Sequence, residues 1–271
     1  FYGTFLSAVE LEARRAGYQL ILAGTNPGQS YIDIAKSRTL DGVIILGAYP
    51  SDDEAEYKKY KIPAVLVDCY GSGDSFFYSV RTDDRLGGYL ATKYLIEQGH
   101  HRIAIVTGEL KAHGVNSERY QGYLDALCEA GLTPAHDDVF EGLVGYDHGL
   151  EVAEELARTR RDITALFASA DITAIGLING LRAAGLRVPE DVSVIGFDDV
   201  EYAKMCYPGL TTMRQNIMEK GRQAARLMIE AVQDHSLPRE ERIIPMELIE
   251  RGTVKRVDGN QAYAQRPVSA F

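Results

Sequence analysis

The stretch Val188–Thr212, VPEDVSVIGFDDVEYAKMCYPGLTT, decides the fold that this sequence predicts. Its centre, Val192–Phe197, is an apolar run of strand length that is rich in β-branched residues. Because the run does not alternate with polar residues, it is typical of a strand covered on both faces, as in a parallel sheet. Asp198 and Asp199 follow at once. Ligands of open α/β sheets bind beyond the carboxyl ends of the strands, so Asp198 takes a ligand-binding position, with a turn or helix cap as the alternative role.

Outward from this stretch, helical and strand-like segments alternate almost to the end of the chain. The other predicted strands are Tyr18–Ala23, Val43–Leu46, Pro63–Val67, Arg102–Thr107, Val139–Leu143, Ile163–Ala168 and a late one, Ile243–Glu250. The predicted helices are about 6–16, one from about Ser30, Ser51–Tyr60, Arg81–Gln98, Ser117–Ala130, Tyr146–Arg158, Ile172–Ala184 and Met218–Val232. We interpret Gly71-Ser72-Gly73-Asp74 as a loop. Repeated βα units, in two successive series, predict an α/β fold with two doubly wound parallel sheets.

The composition is that of a globular protein, with 271 residues of which 45% are hydrophobic and 25% charged. A formal net charge of -10 argues against a free-standing nucleic-acid-binding domain, which is usually basic. No apolar segment approaches the roughly 20 residues of a membrane span, and the first residues do not have the pattern of a secretory signal. The cysteines, Cys69, Cys128 and Cys206, show no metal-binding spacing. We therefore expect a cytoplasmic protein with reduced thiols and no membrane partner.

The sequence contains no catalytic or cofactor signature. It has no nucleophile elbow, phosphate loop, dinucleotide fingerprint or zinc-protease motif. Asp198 and Asp199 could do acid/base chemistry in principle, but adjacent strand residues point to opposite faces. His100-His101 follows a helix, where hydrogen bonding to the last carbonyls is the ordinary role. We expect no enzymatic activity, no cofactor and no metal.

Several of these segments carry sequence motifs that occur in the same order in one protein family. The most specific is Gly185–Asp199, GLRVPEDVSVIGFDD, which is followed by Leu210-Thr211-Thr212, Gln215 and Gly221. Earlier matches are Asp41–Ile45, Ile62–Asp68, Asp83-Asp84 with Gly87 and Ala91–Leu95, Gly99–Ala104, Arg119 with Gly122-Tyr123, Thr164–Phe167, and Asp171 with Ala174-Ile175-Gly176. Over about residues 1–257 the chain resembles the effector-binding core of the lactose/galactose repressor (LacI/GalR) family of bacterial transcription regulators.

The resemblance implies two Rossmann-like subdomains, as in type I periplasmic binding proteins, with the effector bound in the cleft between them. Mapped onto this sequence, the N-terminal subdomain is 1–98 plus 217–243, the C-terminal subdomain is 99–215 plus 245–257, and 258–271 is a tail. The chain crosses between the subdomains three times, near Gly99, near Gln215-Asn216 and near Ile244-Pro245.

The resemblance also implies a cytoplasmic homodimer that binds operator DNA through an N-terminal helix-turn-helix. This sequence contains no helix-turn-helix, and it begins at a position inside the first helix of the family. The family's first strand, which is central in its sheet, is therefore not part of it. DNA binding belongs to the resemblance and not to these residues.

The same resemblance nominates site residues. Arg119 matches the arginine that holds the effector, since its planar fork suits a carboxylate, a phosphate or paired hydroxyls; a surface arginine is the alternative. Asp198 matches the ligand-binding aspartate and can accept from hydroxyl or ring N–H donors. We also expect Arg119 to neutralise Asp198 when no ligand is bound, and the fold to survive loss of either side chain. Phe1 and Tyr2 align with an aromatic pair that can stack on a ligand, with plain packing as the alternative.

Four further positions are weaker candidates. Asp171 matches the second acid of an Asn-Asp pair, but Ala170 stands in place of the asparagine. Tyr146 can substitute for a displaced aromatic residue. Gln215 lies at a crossing strand, and Asp83 lies at a helix start, where capping is the competing role.

Arg119 and Asp198 together fit a sugar, a sugar phosphate, a nucleoside or a purine. The ligand-sensing core of a repressor and the periplasmic sugar-binding protein of an ABC-type transporter use the same fold, and fold alone does not separate them. The Gly196-to-Thr212 stretch, the absence of a signal peptide and the unpaired cysteines favour the repressor. An enzyme, the third class, would need a nucleophile–base pair that the sequence does not show.

Overall fold

The computed structural model describes residues 1–24, 30–47, 54–70, 76–111, 114–160 and 162–257. Its helices are α1 (Tyr2–Arg15), α2 (Tyr31–Ser37), α3 (Glu54–Tyr60), α4 (Asp84–Glu97), α5 (Val115–Glu129), α6 (Tyr146–Thr159), α7 (Asp171–Ala183) and α8 (Ile217–Gln233). Its strands are β1 (Val43–Leu46), β2 (Ala64–Val67), β3 (Tyr78–Thr82), β4 (Ile103–Gly108), β5 (Val139–Gly142), β6 (Ala165–Ala168), β7 (Ser193–Asp198), β8 (Thr211–Gln215), β9 (Glu241–Ile244) and β10 (Met246–Ile249). The loop predicted at 71–74 and the tail 258–271 lie outside the described residues.

The strands form two sheets. The first has the order β1-β2-β3-β9 and the second the order β10-β8-β7-β6-β4-β5. Pairing is parallel throughout the first sheet, and it is parallel from β8 to β5 in the second. The predicted α/β fold with two parallel sheets is confirmed.

The second sheet is organised around β7, the strand of the deciding stretch. It lies between β6 and β8, and its residues are buried up to Asp198, which is half-buried. Burial on both faces explains why the run is apolar without alternation. Two helices of the same unit, α6 and α7, pack so closely that a Cβ on Gly176 would lie 2.1 Å from the Tyr146 carbonyl oxygen.

The chain divides into two compact units at places that differ from the sequence-based limits. One unit is 1–83 with 111–117 and 215–246, and the other is 84–110 with 118–214 and the chain from 247 onward. Helix α4, which the sequence-based limits place before the first crossing, belongs to the second unit. It lies against α5, where a Cβ on Gly88 would be 2.1 Å from the Arg119 carbonyl oxygen. That these two units are the two subdomains of the family stays a prediction.

The predicted strand Tyr18–Ala23 is wrong for this structure, because the segment has no regular secondary structure. Leu20, Ile21 and Leu22 stay exposed, Leu22 by 75%. In the described sheet β1 is an edge strand, so no strand beside it takes the hydrogen bonds of this segment. A largely apolar groove of about 470 Å³ lies among this segment, α1, β1 and α8.

Two other boundaries are corrected at crossing segments. Arg81 and Thr82, predicted to open a helix, end β3, and α4 begins at Asp84. The single late strand Ile243–Glu250 is two strands, β9 beside β3 and β10 beside β8, separated at Pro245. Proline has no N–H for the ladder, so it is a natural place for a strand to end. At Thr211–Gln215, where the sequence predicts only a crossing near Gln215, the structure has strand β8.

No helix among the described residues is long and apolar enough to cross a membrane.

Candidate functional site

Arg119 on α5 is firmly held at the carboxyl edge of the second sheet. Its side chain is 5% exposed. Nε and Nη2 both contact Oδ1 of Asp84, at 2.8 and 2.7 Å. Nη1 donates to the carbonyl oxygen of Ser169, the residue after β6, at 2.5 Å. The guanidinium also lies 3.8 Å from the ring centroid of Phe197 on β7, a cation–π distance.

The structure shows a partner of Arg119 that the sequence did not predict. This carboxylate is Asp84, the first residue of α4, and a pairing of Arg119 with Asp198 stays a prediction. Asp84 is completely buried. The pair forms because α4 and α5 approach closely at Gly88, which brings two sequence-distant helices into side-chain reach. Loss of Arg119 should therefore lower the stability of the domain, since a buried ion pair that loses one partner strongly destabilises a protein. Survival of the fold without Arg119 stays a prediction.

Asp198 ends β7 on a strained turn. Its φ is +117° and that of Asp199 is +55°, both in the region that non-glycine residues rarely adopt. The Asp199 carboxylate accepts from Arg214 Nε at 2.7 Å and from Arg251 Nη2 at 2.6 Å. Strained backbone persists where its surroundings over-determine it, and such sites cluster at ligand-binding positions. The two arginines hold Asp199, and Asp198 is the half-buried acid that this turn presents at the strand end.

Asp171 lies behind this turn. It is completely buried at the start of α7. Its Oδ2 accepts from the backbone N–H of Val200 at 2.8 Å and its Oδ1 from Thr212 Oγ1 at 2.6 Å. Burial, and then the negative charge of Asp198, raise the pKa of Asp171 well above its usual range. These contacts make Asp171 a support of the Asp198 turn, and ligand contact by Asp171 stays a prediction.

The raised pKa of Asp171 gives the first testable prediction. A carboxyl whose folded pKa lies above its unfolded value favours the unfolded state increasingly as pH rises through that interval. Asp171→Asn should therefore gain stability relative to the parent protein as pH rises above 3.8, the ordinary pKa of an aspartate, because an amide has no charge to bury. Urea unfolding at several pH values measures this, with the exposed Asp137→Asn as the control. A variant that becomes relatively less stable as pH rises would contradict it.

Tyr146 is the remaining candidate ligand-binding residue in the second unit. It begins α6, and its hydroxyl accepts from Asn179 Nδ2 on α7 at 3.1 Å. Its side chain is partly exposed. In the first unit, Phe1 packs edge-to-face on the exposed Tyr2, with ring centroids 5.4 Å apart, and Asp83 is half-buried just before α4. Ligand contact by any of these residues stays a prediction.

Gln215 belongs to a buried polar cluster in the first unit that sequence reasoning missed. At its centre is Lys220 on α8, which is completely buried. Lys220 Nζ donates to Asp68 Oδ1 and to Gln215 Oε1, and Thr82 Oγ1 donates to Gln215 Oε1 at 3.1 Å. The Phe1 ring centroid lies 5.7 Å from Nζ. Asp68 follows β2 and Thr82 ends β3, so the cluster occupies the carboxyl edge of the first sheet.

A signal for this cluster was present in the sequence. Lys220 lies three residues after Ile217 and four before Ala224, which places it on the apolar face of α8. Lysine is almost never fully buried unless it is paired. A lysine on a core-facing stripe is thus a sign of a buried carboxylate partner, although the partner's identity needs the fold.

Among the residues that the structure describes, no group of three or more His, Cys, Asp or Glu side chains is arranged to hold a metal ion.

Comparison with known proteins identifies the family. Residues 92–254 match the family of periplasmic binding protein-like domains. The chain is 34% identical over 267 residues to the HTH-type transcriptional repressor PurR of Vibrio atlanticus, a match that covers 95% of this chain and 78% of that protein. The chain belongs to the LacI/GalR family. A PurR repressor of Haemophilus influenzae is 33% identical over 266 residues, again with 95% and 78% covered.

Solved structures of LacI-family regulators agree with this. A regulator from Enterococcus faecium with bound ribose superposes with a TM-score of 0.84 at 28% identity, covering 95% of each chain. CcpA of Lactococcus lactis gives a TM-score of 0.84 at 29% identity, with 94% of each chain covered. The regulator CelR in its cellobiose complex gives 0.82 at 30% identity, covering 93% of this chain and 78% of that one. This chain is thus the ligand-sensing domain of a LacI-family transcriptional regulator, and the transporter alternative is set aside.

Proposed function

We propose that this domain binds a small polar effector through Asp198 and Arg119 and does not convert it. The observation that carries the proposal is the arrangement at the carboxyl edge of the second sheet. There the half-buried carboxylate of Asp198 lies on a strained turn at the end of β7. The anchored guanidinium of Arg119 stacks on Phe197, the preceding residue of the same strand. Carboxyl edges of parallel sheets are where α/β proteins bind ligands. Fixed charged groups recognise hydroxyl and N–H donors without a large ordering cost.

In the full-length regulator the domain would be joined to an operator-binding helix-turn-helix and would form a cytoplasmic homodimer. The related PurR proteins are HTH-type transcriptional repressors, which supports this. Palindromic operators mirror the two-fold symmetry of a dimer. Effector binding would control DNA binding only as far as the effector contacts the two functional states differently.

The effector class can be found by thermal shift. Anything that binds the native state raises its apparent stability. A suitable panel contains ribose and cellobiose, which are bound to the two related regulators named above, together with sugar phosphates, adenosine and adenine. Recovery of the bound compound unchanged after long incubation would agree with the absence of turnover.

The second prediction tests the site itself. Asp198→Asn should weaken binding of the stabilising compound by about 1.5–3 kcal/mol, the usual scale for a charged hydrogen bond, which is roughly ten- to a hundredfold in affinity. Isothermal titration measures it, and the exposed Asp137→Asn is the control. Unchanged affinity in Asp198→Asn, with the fold intact by circular dichroism, would place the ligand elsewhere.

A further inference from the structure

A chain of ion pairs leads away from the Asp198 turn at the end of β7. Asp199 Oδ2 accepts from Arg214 Nε at 2.7 Å, and the same guanidinium donates through Nη1 to Glu247 Oε1 at 2.6 Å. Arg214 lies on β8, opposite Asp198 in the strand register, and Glu247 lies on β10, the strand beside β8. One arginine side chain therefore joins the turn after β7 to two neighbouring strands.

These two strands are the ones by which the chain leaves and re-enters the second unit. Arg214 is the last residue of the second unit before the chain passes to Gln215 in the first, and Glu247 is the first residue after the chain returns from Met246. Asp199, Arg214 and Glu247 all belong to the second unit, so the ion pairs are contained in it. They hold the outgoing and the returning strand at fixed positions relative to the turn.

The carboxylate of Asp199 is the inner end of this chain. Its side chain is only 9% exposed, and its backbone has a φ of +55° beside the +117° of Asp198. Backbone in these regions costs free energy and persists only where its surroundings hold it. Arg251, which also donates to the Leu210 carbonyl oxygen, holds the other oxygen of Asp199. Because this second anchor remains when Arg214 is changed, variants of Arg214 should fold.

The contact between Arg214 and Glu247 is the outer end, and stability does not explain it. The two side chains are 42% and 61% exposed. Exposed ion pairs contribute little to stability, because water screens the charges and ordering two long side chains costs entropy. What this contact does is to make the position of the Arg214 guanidinium, and through it that of Asp199, depend on β10.

We propose that Arg214 is a positioning residue of the effector site, which couples the orientation of Asp198 to the crossing strands β8 and β10 through its contacts with Asp199 and Glu247. The inference rests on the proposed binding of an effector by Asp198. Arg214 acts through the turn and not by contact with the effector. A carboxylate accepts hydrogen bonds only within narrow limits of distance and angle, so a small shift of the turn weakens its hold on a ligand. By linkage, a ligand that fixes Asp198 stabilises the same arrangement of the two strands.

Affinity is measured by isothermal titration, with ribose, cellobiose, ribose 5-phosphate, adenosine and adenine as the probes. Arg214→Ala should bind the probe that the parent binds about tenfold more weakly, the scale of one misplaced charged hydrogen bond. Arg214→Lys keeps the positive charge but has no planar fork that reaches both carboxylates, so it should also bind more weakly. The control is Arg187→Ala, which removes a two-point contact with Asp191 elsewhere in the second unit. It should change affinity by less than about twofold, because distant sites act independently.

A double-mutant cycle decides whether the contact with Glu247 carries the coupling. Glu247→Gln should weaken probe binding in the parent and have no effect in Arg214→Ala, because the contact is already lost there. Its free energy of unfolding should differ little from that of the parent, since the pair is exposed. Equal losses of affinity from Glu247→Gln in both backgrounds, or no loss in either, would overturn the inference. Parent-like affinity of Arg214→Lys would reduce the role of Arg214 to its charge and overturn it as well.

Hydrogen exchange of backbone amides tests the coupling without any ligand. The amides of Asp199 and Val200 should exchange faster in Arg214→Ala than in the parent, because the turn has lost one of its anchors. The amides of β4, which make no contact with Arg214, should exchange as in the parent. Unchanged exchange at Asp199 and Val200 would overturn the inference and leave the proposed function standing.

The binding results separate this inference from the function on which it rests. If Asp198→Asn loses affinity while Arg214→Ala binds like the parent, the inference is overturned and the proposed function stands. Parent-like affinity in both variants overturns the two together. A parent domain that binds none of the probes also overturns both.

Discussion

Arg119→Ala should lower the free energy of unfolding of this domain by about 3–5 kcal/mol, the scale on which breaking a buried ion pair destabilises a protein. The alanine variant leaves the carboxylate of Asp84 completely buried without its cation. It also leaves the Ser169 carbonyl without its donor and removes the group that packs on the Phe197 ring. Denaturant unfolding of the purified domain measures the loss.

The chain offers a matched control for this experiment. Arg85 makes a similar two-point contact with Asp125, at 2.7 and 3.1 Å, but both side chains are exposed. Exposed pairs contribute about 0–1 kcal/mol, so Arg85→Ala should fall in that range. An Arg119→Ala/Asp84→Ala double variant should be more stable than Arg119→Ala, because no lone charge remains buried. Equal losses for Arg85→Ala and Arg119→Ala would show that burial does not set the strength of the Arg119 pair.

Acid should destabilise the domain through His100. This side chain is 1% exposed, and burial lowers its pKa from 6.5 to about 4. Its ring nitrogens lie 3.1 Å from Thr164 Oγ1 and 3.2 Å from the Lys255 carbonyl oxygen, so the structural role is wider than the helix-end hydrogen bond that the sequence suggested. The unfolded chain binds a proton near pH 6.5 whereas the folded one does not until near pH 4. Stability is therefore lost as pH falls through this window, by up to about 3 kcal/mol in total.

Comparison with a neutral variant isolates this contribution from that of the carboxylates. His100→Gln cannot take up the proton, so its free energy of unfolding should fall less than that of the parent between pH 6.5 and pH 4. The exposed neighbour provides the control, and His101→Gln should follow the parent curve. Parallel curves for the parent and His100→Gln would mean that folding does not shift the pKa of His100.

Local patterns in the sequence determined the class of fold. Non-alternating apolar runs predicted β1, β2, β4, β6 and β7 to within two residues at their ends, because strands covered on both faces have no polar side. Helix limits followed from local chemistry too. Ser30 accepts from the Asp33 N–H and caps α2, and Gly17, which ends the α1 segment, has a φ of +83°. The ordered motifs around Gly185–Asp199 were enough to name the family, which the comparisons confirm.

Sequence reasoning failed where the same residue pattern is compatible with two different structures. Ile243–Glu250 is one apolar run, yet its two halves lie in different sheets, and only the positions of β3 and β8 decide that. Tyr18–Ala23 has the composition of a strand, but a strand needs a neighbour that takes its backbone hydrogen bonds, and composition says nothing about the neighbour.

Through the family resemblance the sequence nominated Arg119, Asp171 and Asp198, and the apolar run before Asp198 placed it at a strand end. Only the tertiary structure decided what each contacts: Arg119 pairs with Asp84, 35 residues away, and Lys220 with Asp68, 152 residues away. Helix and strand periodicity is a property of neighbouring residues, so it can be read along the chain. The strength of a charge pair depends on burial and on a partner brought from elsewhere in the chain, and both exist only once the helices and sheets have packed.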